Sequence, residues 1–174
     1  PLEIDLGCGD GSFLIAIAEH YPDRNFLGVE RLLGRVKNVS KKIEISGLTN
    51  VKILRLESLY VLEWLLAEKS ISRLHLLCPD PWPKAKHHKR RLFQQPFLKA
   101  LYGVLKTDGE FLFKTDHLGY YEWALEELEQ FSGLKKIKWP EQTESDAFFY
   151  PKTDFQRLWE SQGKELQQLR CTKA

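Results

Sequence analysis

The chain has 174 residues, 43% of them hydrophobic, with eleven glycines and eight prolines spread along it, which describes one globular domain able to bury a core and excludes a disordered or repetitive polymer. A formal charge of +2 is too mild to mark a nucleic-acid binder by itself, so any such reading rests on where the charge sits. Three cysteines, far apart and without CxxC spacing, argue against a disulfide framework or a zinc site and point to a reducing cytoplasm, while no apolar run approaches the roughly 20 residues of a membrane span.

The opening "PLEIDLG" reads as a strand entering a glycine loop, not as a signal peptide, and with no methionine in the chain a further N-terminal segment is expected to precede it. Residues 12–21 have apolar positions at helical spacing, stopped by Pro22 and Asp23. A second strand is predicted over 25–30, a basic helix over 32–46 closed by Gly47, a third strand over 50–57, a helix over 59–68 and a fourth strand over 72–80. After a basic strip the pattern resumes, with a helix over 92–105, a strand over 109–116, a helix over 120–131 and a strand over 134–139. A last helix over 153–163 and a last strand over 165–172 follow. This alternation predicts an α/β fold built from right-handed crossovers, with a mostly parallel sheet covered on both faces. The least regular stretches are 79–91 and 140–153, and loops at the carboxyl ends of such strands are where ligands bind.

"DLGCGDG" provides Gly7, Gly9 and Gly11 between the first strand and the first helix, with Asp5 at the strand end and Glu30 at the end of the next strand. Acids at those places can accept hydrogen bonds from ribose hydroxyls, which suits a nucleoside-bearing cofactor. The glycine spacing is GxGxG and not the GxGxxG of dinucleotide folds, which sets aside an NAD-dependent oxidoreductase. Asp5, Glu30 and Glu57 would repel a diphosphate but suit S-adenosylmethionine, which carries a sulfonium and an ammonium.

"PDPWPKAKHHKRR" sets Asp80 and Trp82 among Pro79, Pro81 and Pro83, which fix φ and remove backbone donors, so the turn is stiff. A carboxylate there can accept from the amino and imino edge of a base, with Trp82 bracing the loop. Lys84, Lys86, Lys89, Arg90 and Arg91 follow with no acid among them and suit RNA backbone phosphates. His87 and His88 have no third ligand nearby, so no metal is expected.

These residues resemble the bacterial tRNA (guanine-N7-)-methyltransferases. The likeness runs from "EIDLGCGDGSFL" through "GVE", "PDPWPKAKHHKRRL" and "KTDHLGYYEW" to "TDFQRLWESQG". It implies a Rossmann-like class I methyltransferase fold with a seven-stranded sheet whose last strand is antiparallel, S-adenosylmethionine as cofactor, and tRNA as partner of a monomer or homodimer. By the same likeness Asp5, Gly7, Gly9, Glu30, Glu57 and Asp80 are the cofactor contacts, Asp80 is also the catalytic residue, and Lys84, Asp116, Thr153, Asp154, Phe155 and Gln156 meet the substrate. The chain departs from the pattern twice: Gln156 stands where Glu is expected, and Glu57 where Asp is more usual. From the residues alone, Asp116 also reads as a helix N-cap. The expected reaction is methylation of guanine N7 in the tRNA variable loop, position 46. Its rivals are methylation of another RNA base, an exocyclic amine in particular, and a catalytically weak RNA-binding homologue or subunit.

Overall fold

The computed structural model describes residues 1–139 and 149–174. Seven strands form one sheet in the order β3-β2-β1-β4-β5-β7-β6, where β1 is Leu2–Leu6, β2 Asn25–Val29, β3 Val51–Leu54, β4 Ile71–Leu77, β5 Leu105–Thr115, β6 Leu134–Ile137 and β7 Gln167–Lys173. The pairs among β1 to β5 are parallel, and β7 runs antiparallel between β5 and β6. This is the expected α/β sheet, with its order reversing at β1, the place where such sheets bind ligands.

Helices α1 (Ser12–His20) and α2 (Leu33–Ser46) cover one face, where Phe13, Leu14, Ile17 and Val39 pack with Phe26, Val51 and Leu112. Helices α4 (Gln95–Val104) and α5 (Leu118–Glu129) cover the other, where Leu98, Leu101, Tyr120 and Ala124 meet Ile4, Leu74, Phe111 and Phe113. The period of two along each strand assigns alternate residues to these two cores. The same alternation puts Glu3, Arg73 and Glu110 in register on the α1 side of β1, β4 and β5, with His75 and Arg170 one step along the same face of β4 and β7. Charges so placed persist only when paired, and here Arg73 Nε donates to Glu110 at 3.1 Å while Arg24 donates to Glu3 at 2.7 Å.

The helix predicted over 59–68 starts earlier and ends earlier, as a single α-turn, α3 (Ser58–Tyr60), running into a π-turn at Val61–Leu65. The Glu57 carboxylate fixes its start by accepting from the backbone N–H of Leu59 and Tyr60. The helix predicted from 92 begins at Gln95, with Pro96 in its first turn and Gln94 still extended. The basic strip is not wholly irregular, because Ala85–Arg90 close a 3-10 helix. Helix α6 (Asp154–Ser161) follows the second loop, of which residues 140–148 lie outside the described residues.

Candidate active site

The glycine loop leaves β1 with Gly7 at φ +72° and open space where a Cβ would stand, so the backbone is bare towards a cleft of about 470 Å³. Asp5, Gly7 and Gly9 line that cleft, as expected, and Asp10 and Arg35 join them. Burial, and then the charges of Asp10 and Glu30, push the Asp5 carboxyl up to about 7. Lys42 pairs with Asp10 at 3.2 Å, whereas among the described residues no cation pairs with Asp5, so burial leaves this one acid resisting ionisation.

Glu30 is buried, and its carboxylate holds the loop around it. One oxygen accepts from Gly9 N at 3.2 Å, the other from Arg31 N and Leu32 N at 2.8 Å. Arg35 lies 3.6 Å from it. Glu30 thereby ties the first cleft to a second, of about 490 Å³, lined by Arg31, Glu57, Asp80, Trp82, Lys89 and Arg90. The predicted cofactor contacts therefore fall into two neighbouring clefts, Asp5 and the glycines in one, Glu57 and Asp80 in the other.

Asp80 sits exposed at the end of β4 in a turn bracketed by Cys78 at φ +47° and Trp82 at φ +44°. Non-glycine residues in the left-handed region carry strain that surrounding contacts must hold, and such strain gathers at functional sites. The contacts are identifiable. Cys78 N donates to Lys114 O at 2.8 Å, Trp82 N to the Asp80 carboxylate at 3.1 Å, and Arg91 Nε to Pro81 O at 2.8 Å. Arg90 covers the Trp82 ring at 4.8 Å, so this indole braces the loop.

Arg91 corrects the sequence reading. It is 3% exposed, donates also to Gly119 O, and lies against the rings of Tyr120 and Trp123, so it clamps the Asp80 loop to α5 and has no face left for RNA phosphates. Lys84, Lys86, Lys89 and Arg90 are exposed as expected.

Asp116 is half-buried beyond β5, and among the described residues its carboxylate has no hydrogen-bond partner. The N-cap reading fails at that residue: the cap of α5 is His117, whose Nδ1 accepts from Tyr120 N at 3.1 Å. Thr153 caps α6 by accepting from Gln156 N at 2.9 Å. Thr153, Asp154 and Phe155 line the first cleft opposite the glycines, with Phe155 stacked on Trp159. Gln156 turns inward instead. It is 8% exposed, its carbonyl accepts from Lys114 Nζ at 3.2 Å, and its amide donates to Glu160 at 2.8 Å, so no side-chain atom remains for a base.

Sequence reasoning missed Lys114, Tyr150 and Arg35. Lys114 had a signal: a lysine ending the apolar run "FLFK" on a central strand is a buried charge in waiting. Burial brings its amine down to about 8, and the rings of Tyr150 and Trp139 lie 4.7 and 5.0 Å from it. Among the described residues no group of three or more His, Cys, Asp or Glu is placed to hold a metal, and no helix is long and apolar enough to cross a membrane.

An rRNA methylase from Streptococcus thermophilus superposes with a TM-score of 0.63 at 9% identity, over 99% of this chain and 86% of that one. A precorrin-6y C5,15-methyltransferase from Geobacter metallireducens does so at 0.61 and 17% identity, over 78% and 65%. At such identities the likeness is one of fold. A family model described as a putative methyltransferase matches residues 1–169. A tRNA (guanine-N(7)-)-methyltransferase of Syntrophotalea carbinolica is 34% identical over 95% of this chain and 71% of its own length, and one of Treponema pallidum is 34% identical over 100% and 68%. The glycine loop, the strained Asp80 turn and the basic strip thus lie within a sequence match spanning nearly every residue, and the chain belongs to the tRNA (guanine-N(7)-)-methyltransferase family.

Proposed function

We propose that this protein methylates a guanine of the tRNA variable loop, at position 46, with Asp80 orienting the base. Family membership makes the reaction methyl transfer to guanine N7 in tRNA, with S-adenosylmethionine as donor. The observation that carries the reading is the pairing of an acidic cleft, around the buried Asp5, with a stiff carboxylate turn and a row of exposed cations at its neighbour.

S-adenosylmethionine supplies an electrophilic methyl on a positively charged sulfur. Asp5 and the bare backbone of Gly7 and Gly9 suit its amino-acid end, Glu30 its ribose, and Glu57 with the Asp80 turn the base beyond. The nucleophile, guanine N7, has a lone pair and no proton, so no general base is required and the protein's work is placement. Holding two reactants in attack geometry can remove about 7 to 11 kcal/mol of barrier. The carboxylates of Asp80 and Asp116 accept from the N–H groups of the Watson–Crick edge, which turns N7 the other way, and they offset the positive charge the base acquires. Lys84 reaches the substrate beside them, and Thr153, Asp154 and Phe155 form the opposite rim. Lys86, Lys89 and Arg90 take phosphates. A cytoplasmic setting is part of the reading, supported by three free cysteines.

The test is transfer of labelled methyl to unmodified tRNA transcripts, with product nucleosides identified. N7-methylguanosine is expected, absent when the variable-loop guanine is changed to adenine, and absent with Asp80→Ala while tRNA still binds. A methylated exocyclic amine, binding without product, or Asp80→Ala activity within a few-fold of wild type would overturn it.

A further inference from the structure

The segment that carries the substrate rim, 149–158, packs on the sheet face left open beyond α1, and buried polar groups hold it there. Tyr150 is 3% exposed, its ring tilted against Phe13 at 5.0 Å and its hydroxyl 3.0 Å from His75 Nδ1. His75, itself 1% exposed, places Nε2 at 3.0 Å from Glu3, and Glu3 is held from behind by Arg24. Burial works against the Glu3 charge, but the His75 hydrogen bond and the cations Arg73 and Arg24 outweigh it and keep the carboxyl at about 2. Burial keeps His75 below its ordinary value, hence neutral, so Nε2–H donates to Glu3 and Nδ1 accepts the Tyr150 hydroxyl. Burial likewise keeps Tyr150 protonated. The Tyr150 hydroxyl and His75 Nε2–H thus both donate from rim towards sheet.

An apolar ring would fill the same space, so packing does not explain a buried polar row that carries a desolvation cost. What the row adds is a fixed height and direction. Three residues beyond Tyr150, Thr153 begins the rim facing Gly7 and Gly9. We propose that Tyr150, through His75 and Glu3, is a positioning residue for methyl transfer, setting the rim's height over the methyl donor. This rests on the reading of the cleft given above. Tyr150 does not line the cleft, and it acts through Thr153, Asp154 and Phe155, which do.

Tyr150→Phe keeps the ring and removes the hydroxyl. Single-turnover methyl transfer to tRNA is expected to slow about 10- to 100-fold, the scale of a sub-ångström to 1 Å misplacement, with S-adenosylmethionine affinity within about twofold. Glu3→Gln, at the far end of the row and away from the cleft, is expected to slow it in the same direction, and the double variant to be no slower than the worse single one. Unchanged turnover in Tyr150→Phe would overturn the proposal. So would parallel losses of turnover, cofactor binding and melting temperature, which would make the tyrosine a core residue only. Wild-type enzyme that forms no N7-methylguanosine would instead sink the functional reading, so the two failures are distinct.

Discussion

Asp5 and Arg91 show how one side chain's surroundings decide its role. Folded, Asp5 keeps its proton to about pH 7, whereas the unfolded chain loses it near 3.8. Across that window the unfolded state binds fewer protons, so stability falls as pH rises from about 4 to about 7 and is flat beyond. A cation seated against the carboxylate favours the ionised form, so cofactor affinity rises through the same window and levels above it. Calorimetric titrations at pH 5.5, 6.5 and 7.5 should record that rise, and Asp5→Asn should bind more weakly with the rise gone. Arg91 makes the opposite point: a residue in a basic run that works as a clamp. Arg91→Lys cannot reach Pro81 O and Gly119 O together while lying on Tyr120 and Trp123. It should cost about 2 kcal/mol in urea unfolding, the scale of a buried acceptor left unpaired, and lower turnover through the Asp80 loop. The salt dependence of tRNA binding should stay as in the wild type.

At the scale of elements, periodicity was sufficient wherever a strand or helix buried one continuous apolar stripe, as β1, α1, β4 and α5 do. It was insufficient where a polar side chain set the boundary. Glu57 starts α3 by capping it, and His117, not Asp116, opens α5. Neither cap leaves a trace in hydrophobic spacing. The placement of the candidate residues was legible to the same degree: "DLGCGDG" and "PDPWPK" are local, so it could be read that Asp5 and the glycines leave β1 together and that Asp80 follows β4. The inward turn of Gln156 depends on Lys114, 42 residues away, and could not. That contact docks α6, and the burial of Lys114 beneath it has a pH consequence. The folded Lys114 amine loses its proton near 8, well below the 10.5 of a free lysine, so the unfolded state binds more protons between those values and stability rises with pH there. The stability of wild type relative to Lys114→Met should therefore climb between pH 8 and about 10 in urea melts. In Gln156→Glu the new carboxylate raises the amine's affinity for its proton, and the climb should shrink.

At the scale of the whole molecule, the sheet divides the labour between its two faces and its two ends. The α4 and α5 side is an apolar core, whereas the α1 side carries the ionic row from Glu3 to Arg170; at the carboxyl ends of the strands the first cleft opens beside α1 and the second beside the start of α4. Parallel strands make this economical, because β1, β2, β3 and β4 deliver Asp5, Glu30, Glu57 and Asp80 to one edge without any of them being neighbours in sequence. Charge is arranged by the same logic. With a net charge of only +2, the protein has little long-range pull on a polyanion, so on the proposed reading tRNA affinity comes from cations placed at the mouth. Each such cation releases about 0.7 to 0.9 of a counterion when it meets a phosphate, and each one removed should lower the slope of log affinity against log salt by about that amount. Lys86→Ala, Lys89→Ala and Arg90→Ala should each do so in filter-binding titrations between low and physiological salt, with effects that add. Loss of Arg90 should further loosen Trp82, and so reduce turnover at saturating tRNA, which loss of Lys86 should not. A slope that stayed constant through all three substitutions would mean that the RNA backbone crosses the protein elsewhere. The cleft proposed for S-adenosylmethionine, lined by Asp5 and Asp10 and not by this strip, should keep its affinity throughout the series.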